Sequence, residues 1–105
     1  MLPEDRQILD LFAKRVHALE PSASIRAFGS RARGSADPQS DLDLCVILAE
    51  VTPDLRNAIY LIAWEIGFDN NRLLAPIILS EEAFDRGPLS ASTLVANIRR
   101  ESVAA

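Results

Sequence analysis

The sequence predicts a single α/β domain with a small mixed β-sheet and helices mainly on one of its faces. Three observations indicate this class. Segments with helical spacing of apolar residues alternate with short β-branched segments. No repeat, low-complexity stretch or linker interrupts them. A chain of 105 residues can bury one modest core, so residues 1–105 are interpreted as one domain.

The first predicted helix begins at Pro3, because a proline followed by two acidic residues suits the first turn of a helix. Apolar residues then recur at helical spacing before Pro21 ends the pattern. These residues are Ile8, Leu11, Phe12, Val16 and Leu19. An extended segment, Ser24–Phe28, is expected to follow.

A second long helix is predicted to start at Thr52-Pro53-Asp54 and to end near Gly67. Its core stripe consists of Leu55, Ile59, Ile62, Ala63 and Ile66. A further set extends the apolar surface beyond that stripe, namely Tyr60, Leu61, Trp64 and Phe68. Two interpretations stay open: a surface left exposed for a partner, or a wide core face.

The run from Gly29 to Gly34 has the features of a phosphate-binding turn. Gly29 allows the backbone to approach an anion closely, and Ser30 adds a hydroxyl donor. The residues that follow can open a helix, whose free N–H groups and positive dipole end attract phosphate. A Gly-Ser turn alone is usually structural, so this signal needs a second one.

The second signal is a pair of carboxylates at the mouth of a buried strand, Leu42–Leu48. Side chains alternate along a strand, so Asp41 and Asp43 are expected to project to the same side. Magnesium prefers oxygen ligands and is usually held by one or two carboxylates together with substrate phosphates. The turn and the carboxylates together therefore predict magnesium-nucleotide chemistry.

These residues resemble the DNA polymerase β-like nucleotidyltransferase superfamily, and within it the small minimal nucleotidyltransferase domains of antitoxin type. The signature of that family is Gly-Ser-x-Ala-Arg-Gly followed by Ser-Asp-x-Asp-Leu. The chain matches it at Gly29, Ser30, Ala32, Arg33, Gly34, Ser40, Asp41, Asp43 and Leu44. The resemblance implies the polymerase β-like fold, with a closing strand near Pro76–Glu82 and a last helix near Asn97–Glu101.

The resemblance also implies roles for these residues. Asp41 and Asp43 would be the catalytic carboxylates that coordinate Mg²⁺. ATP or another nucleoside triphosphate would be bound by Gly29, Ser30, Arg33 and Ser40. For Arg33 an ion pair with Asp41 or Asp43 is the alternative. Arg31 is expected to be a solvated charge or an ion-pair partner instead.

One position departs from the family pattern. Polymerase β-like enzymes usually take a third carboxylate from a later strand, which here corresponds to Leu73–Leu79 and contains no acid. The expected position falls near Leu73 or Ala75. Asp69 is the nearest acid before it, but its context favours a turn. Loss of one catalytic base would slow transfer and leave nucleotide binding intact.

Composition limits the class of partner and the compartment. The net charge of −4 argues against tightly held nucleic acid, because such proteins usually present a basic face. The single cysteine, Cys45, cannot form an internal disulfide, and no apolar run is long enough to cross a membrane. We expect a cytoplasmic protein without membrane association.

Two functions of different classes follow from these observations. The first is a Mg²⁺-dependent nucleotidyltransferase that moves AMP from ATP to a hydroxyl of a partner protein. The resemblance implies that this partner is a helical HEPN-family toxin, and homo-oligomers are a further expectation. The alternative is a weak or inactive nucleotide-binding module that neutralises the toxin by direct binding. Transfer to a small substrate ranks lower, because the chain has no length for an acceptor-binding domain.

Overall fold

The structure, a computed structural model, describes residues 1–34 and 40–105. Helices and strands alternate along these residues, as the sequence predicts. In chain order they are α1 (Pro3–Leu19), β1 (Ser24–Phe28), α2 (Gly29–Arg33), β2 (Leu42–Leu48), α3 (Pro53–Asp69), β3 (Leu74–Ser80), α4 (Glu81–Asp85), a 3₁₀ turn (Pro88–Ala91), α5 (Thr93–Glu101) and β4 (Val103–Ala104).

The four strands form one mixed sheet in the order β3-β2-β1-β4. β2 runs antiparallel to β1 and parallel to β3, and α3 supplies the crossover that a parallel pair requires. In this register Asp43 lies between Phe28 of β1 and Ala75 of β3. Alternation therefore places Asp43, Cys45 and Ile47 on one face of the sheet, and the intervening residues of β2 on the other.

The main core lies between the sheet and the two long helices, α1 and α3. From β2 it receives Leu42, Leu44, Val46 and Leu48, all with 0% exposure. Both helices begin with proline, and the Thr52 side chain caps α3 by accepting a hydrogen bond from the Leu55 N–H at 3.2 Å. The predicted arrangement, an α/β domain with its principal helices on one face, is confirmed.

A smaller core lies on the opposite face of the sheet. There Cys45 and Ile47 of β2 pack with Phe84 of α4 and with Val95 and Ile98 of α5. This second layer leaves Asp43, which points to the same face at the start of β2, only partly buried. The short helices therefore cover the middle of this face and leave its edge near Gly29 accessible.

The outer face of α3, formed by Tyr60, Leu61, Trp64 and Phe68, is exposed. Trp64 is 65% and Phe68 75% exposed, and their rings stack with centroids 5.4 Å apart. Helical geometry places this face opposite the buried stripe of Ile59, Ile62, Ala63 and Ile66. Of the two interpretations left open by the sequence, the structure supports an exposed surface. An open groove of about 760 Å³ separates the outer face from Leu73 and Pro76.

Several details differ from the sequence prediction. On α1, Leu11 and Leu19 are exposed, whereas Leu9 and Ala13 are buried in their place. The sequence analysis did not predict α4 or β4. Both are too short to show a periodicity, and β4 forms only because it pairs with Arg26 and Ala27 of β1.

Candidate active site

The turn between β1 and α2 brings the backbone of Gly29 against the carboxylate of Asp43. Gly29 has a φ of +75°, a region that residues with a side chain rarely adopt. A Cβ atom built on Gly29 would lie 2.6 Å from Oδ2 of Asp43. Glycine is therefore required here twice, once for the turn and once for the approach of the carboxylate.

Asp41 and Asp43 form the acidic part of the site. Asp41 is exposed and immediately precedes β2, while Asp43 is the second residue of that strand and is half-buried. Burial, followed by repulsion from Asp41, raises the pKa of Asp43 above its ordinary value of 3.8. Across residues 1–34 and 40–105, neither carboxylate forms an ion pair or a hydrogen bond with a side chain.

This donor set fits a hard divalent cation. Both groups offer carboxylate oxygens, the ligands that Mg²⁺ prefers. A cation would also relieve the repulsion and desolvation that raise the pKa of Asp43. In the described part of the chain no group of three or more acidic, histidine or cysteine side chains is placed to hold a metal ion. Of the described residues, Asp41 and Asp43 are therefore the candidate ligands, and phosphate oxygens or water are further ligands that suit Mg²⁺.

Of the two positions expected for a third carboxylate, Ala75 is the one that lies opposite Asp43. The parallel register pairs Asp43 with Ala75, so their side chains point to the same face from neighbouring strands about 4.8 Å apart. Leu73, the other candidate position, precedes β3 and is exposed. Asp69 ends α3, which packs on the face of the sheet opposite Asp43.

Two serines flank the acidic groups and the turn. Ser30 is the second residue of the five-residue helix α2, and its side chain is half-buried. Ser40 immediately precedes Asp41, and its backbone carbonyl accepts a hydrogen bond from Nε of Arg31 at 3.0 Å. The structure thus brings Gly29, Ser30 and Asp43 together at one end of β2, with Ser40 and Asp41 leading into it.

The two arginines of the motif have different environments. Arg33 is exposed and donates from Nη1 to Oε2 of Glu101 on α5 at 2.8 Å. Its ion-pair partner is therefore Glu101, and the expected pair with Asp41 or Asp43 is wrong. Arg31 is an ion-pair partner, as one sequence interpretation has it, but it is buried: its side chain is 3% exposed and pairs with Asp5 of α1.

Asp5 and Arg72 are the residues near the site that the sequence analysis missed. Asp5 is 1% exposed and accepts hydrogen bonds from both Arg31 and Arg72. In the sequence, Asp5 resembles any acidic residue in the first turn of a helix, where a negative charge complements the helix dipole. No local signal distinguishes it, because its burial results from packing of α1 against α2 and the turn before β3.

Cys45 lies two residues after Asp43 and is fully buried in the smaller core. Burial raises the pKa of its thiol to about 11, although Arg26 opposes the shift. The thiol therefore stays protonated at neutral pH and behaves as a small apolar side chain.

Comparison with known proteins identifies the family. The model of the nucleotidyltransferase domain family matches residues 9–98, which include the turn, both aspartates and all elements from β1 to most of α5. The chain belongs to this family. The expected resemblance to nucleotidyltransferases is thereby confirmed. No curated protein matches the chain.

Solved structures share the fold. A candidate nucleotidyltransferase from Sulfolobus solfataricus aligns over 95% of this chain and 80% of its own, with a TM-score of 0.58 and 20% identity. A mutant of the toxin–antitoxin MntA–HpeT aligns over 95% and 70%, with a TM-score of 0.56 and 16% identity. A toxin–antitoxin structure with AMP-PNP aligns over 89% and 68%, with a TM-score of 0.54 and 15% identity.

Among the residues that the structure describes, none of the helices is both long enough and apolar enough to cross a bilayer.

Gly29→Ala should impair the site beyond its effect on stability. The substitution forces a side chain into a positive-φ position, which should cost about 1 to 2 kcal/mol in free energy of unfolding. The new Cβ should also displace the Asp43 carboxylate. We expect any thermal shift that a nucleoside triphosphate with a divalent cation produces in the wild-type protein to disappear, as measured by differential scanning fluorimetry.

Gly34→Ala is the matched control, because Gly34 has the same φ of +75° but lies in a more open environment. A Cβ atom added to Gly34 would have the backbone nitrogen of Met1, at 3.7 Å, as its nearest neighbour. This variant should lose similar stability in urea denaturation and keep the ligand-induced shift. If both variants keep the shift, contact between Gly29 and Asp43 is not needed for binding.

Proposed function

We propose that this protein is a Mg²⁺-dependent nucleotidyltransferase that transfers AMP from ATP to a hydroxyl of a partner protein, a HEPN-type helical toxin in the cytoplasm. One observation carries the proposal: the Asp43 carboxylate lies directly against Gly29, at the turn that opens α2. Candidate metal ligands and a candidate phosphate-binding turn therefore share one site. Membership of the nucleotidyltransferase family supports the reaction class.

In this proposal Asp41 and Asp43 hold the cation, while the backbone at Gly29 and the Ser30 hydroxyl bind the β- and γ-phosphates. Ser40, which borders Asp41, adds a further polar contact to the nucleotide. Bound Mg²⁺ would neutralise the charge that develops on the phosphates. The acceptor hydroxyl attacks the α-phosphorus in line, its proton passes to water, the bond between the α-phosphorus and the bridging oxygen breaks, and pyrophosphate leaves.

Arg33 is proposed as a further phosphate contact that must first release Glu101. The ion pair is exposed, and such pairs contribute only about 0 to 1 kcal/mol, so exchange of partners is inexpensive. Bidentate binding of a phosphate by a guanidinium is the stronger interaction. ATP as substrate is supported by the fold likeness to a toxin–antitoxin structure that contains AMP-PNP.

The alternative function, neutralisation of a toxin by direct binding, is favoured by two observations. Ala75, one of the two positions expected for the third carboxylate, lies opposite Asp43, so β3 offers no base there, and such a base typically contributes about 10²- to 10⁴-fold to rate. The outer face of α3 is exposed and apolar, as a protein interface requires. Both toxin–antitoxin structures with this fold support a toxin as the partner.

The charges on α3 favour binding of a different protein to the outer face, rather than binding of a second copy of this chain. Asp54 and Asp69 lie fifteen residues apart along a single flank of the helix, and Glu65, which lies between them on that flank, is paired with Arg15 of α1. An antiparallel pairing of α3 with itself, centred near Leu61, would bring Asp54 of one copy close to Asp69 of the other. A partner helix with an apolar stripe beside basic residues avoids this repulsion.

Asp43→Ala distinguishes transfer from simple binding. We expect label from α-³²P-ATP to appear on the partner that co-purifies from the native host when wild-type protein and Mg²⁺ are present, and to vanish with Asp43→Ala. Neutralisation of the partner should be lost in parallel. If the variant still forms the complex and still neutralises, the protein acts by binding and the transfer proposal fails.

Ala75→Asp should increase transfer. The new carboxylate would lie beside Asp43 on the neighbouring strand, where it can bind the cation or accept the proton of the acceptor hydroxyl. We expect the rate to rise by about tenfold or more in the same labelling assay. Ala75→Asn, similar in size but not basic, is the control. An unchanged or lower rate with Asp would show that this position does not supply the missing group.

Trp64→Glu should release the partner without affecting nucleotide binding. Trp64 is 65% exposed, so its replacement should change the free energy of unfolding by less than about 0.5 kcal/mol. We expect the HEPN-type partner to be lost in a pull-down, with the Mg²⁺-ATP thermal shift retained. Gln7→Glu, an exposed change of the same charge on α1, is the control.

Two results would contradict the assignment of this face. Retention of the partner by Trp64→Glu would place the interface elsewhere. A change from dimer to monomer in light scattering of the isolated protein would show that a second copy occupies the face.

A further inference from the structure

A buried carboxylate joins three segments of the chain beneath the candidate site. Asp5 of α1 accepts hydrogen bonds from Nη1 of Arg31 on α2, at 3.2 Å to Oδ2 and 3.4 Å to Oδ1. Its Oδ1 also accepts from Nη2 of Arg72, in the turn before β3. Asp5 and Arg31 are 1% and 3% exposed. Two guanidinium groups thus share one carboxylate that has almost no contact with solvent.

The same network fixes both peptide units that flank Asp41. On one side, Nε of Arg31 donates to the Ser40 carbonyl at 3.0 Å. On the other side, the Leu42 N–H donates to the carbonyl of Leu73 at 2.9 Å, and Leu73 directly follows Arg72. Arg31 and Arg72 both bind Asp5. The orientation of Asp41 is therefore linked on both sides to one buried carboxylate.

Asp41 needs this support because β2 does not include it. The strand begins at Leu42, and the side chain of Asp41 is exposed. Without other restraints its backbone would sample several conformations, and ordering it on cation binding would cost entropy. Asp43, in contrast, is held within β2 by pairing on both sides.

We infer that Arg31 and Asp5 are positioning residues, which hold the Ser40–Asp41 backbone so that the Asp41 carboxylate is preorganised for the cation beside Asp43. This inference rests on the proposed function, because it assigns Asp41 as a ligand. A buried ion pair is by itself weak evidence for stability. Arg31 also donates a hydrogen bond directly to the backbone next to Asp41, a candidate cation ligand. This contact gives the Asp5–Arg31 pair a more specific role.

Arg31→Lys tests the inference, because lysine keeps the charge but cannot donate from one planar group to Asp5 and Ser40 together. The probe is Mn²⁺ alone, whose binding is measured by electron paramagnetic resonance. We expect a loss of about 10- to 100-fold in Mn²⁺ affinity. Val16→Ala, a core truncation on α1, serves as a control that lowers stability and should keep wild-type affinity.

Hydrogen exchange at the Leu42 amide supplies a readout that does not depend on metal. We expect exchange at this amide to accelerate at least tenfold more in Arg31→Lys than in Val16→Ala, after correction for global stability. Exchange at the Val46 amide, in the middle of β2, should follow global stability alone in both variants.

The outcomes separate the inference from the proposed function. If wild-type protein binds no Mn²⁺, the proposed metal site fails, and with it the role of Asp41 as a ligand. If wild type binds and Arg31→Lys binds equally well, or if Leu42 exchange follows global stability, the positioning role is overturned. Should Arg31→Lys not fold, Asp5→Asn, which retains an oxygen acceptor, is predicted to give the same loss of affinity.

Discussion

The antiparallel register between β1 and β2 pairs Phe28 with Asp43, and Phe28 is the residue before the Gly29 turn. This pairing brings the carboxylate and the turn into contact. A slip of one residue would move every β2 side chain to the opposite face and place Asp43 in the main core. The register is held because Leu42, Leu44, Val46 and Leu48 would lose their burial in such a slip. Hydrophobic packing on one face of the sheet thus fixes the position of the Asp43 carboxylate on the other face.

The carboxylates at and near the candidate site have two different electrostatic environments. Asp5 is buried with two guanidinium partners, whereas Asp41 and Asp43 have no cationic partner among the residues that the structure describes. Burial and mutual repulsion raise the pKa of Asp43. A partly buried carboxylate that has a raised pKa and no cationic partner among the described residues is a candidate for ligand binding.

Two features bear on whether this domain acts alone. They are the exposed outer face of α3 and the alanine at position 75. α3 is apolar on both sides, a pattern typical of a helix that is covered. The buried stripe of α3 faces the core and the opposite side is exposed, which is the observation behind the proposed partner. A partner that covers this face would also lie near the groove beside it, which is lined by Leu73 and Pro76 among others. Pro76 belongs to β3, the strand that carries Ala75.

Local patterns alone determined much of the architecture. β1 and β2 lie where extended segments were predicted, and α3 has the predicted apolar stripe. The site residues Gly29, Ser30, Asp41 and Asp43 were recognisable from their spacing. These features depend on neighbouring residues in the chain. Only the tertiary structure decided that Arg33 pairs with Glu101, that Ala75 is opposite Asp43, and that Asp5 is buried beneath Asp41. Each of these is a contact between segments that are distant in the sequence, and strand register and helix packing set it. Residue identity and local spacing do not encode which distant group a side chain will contact.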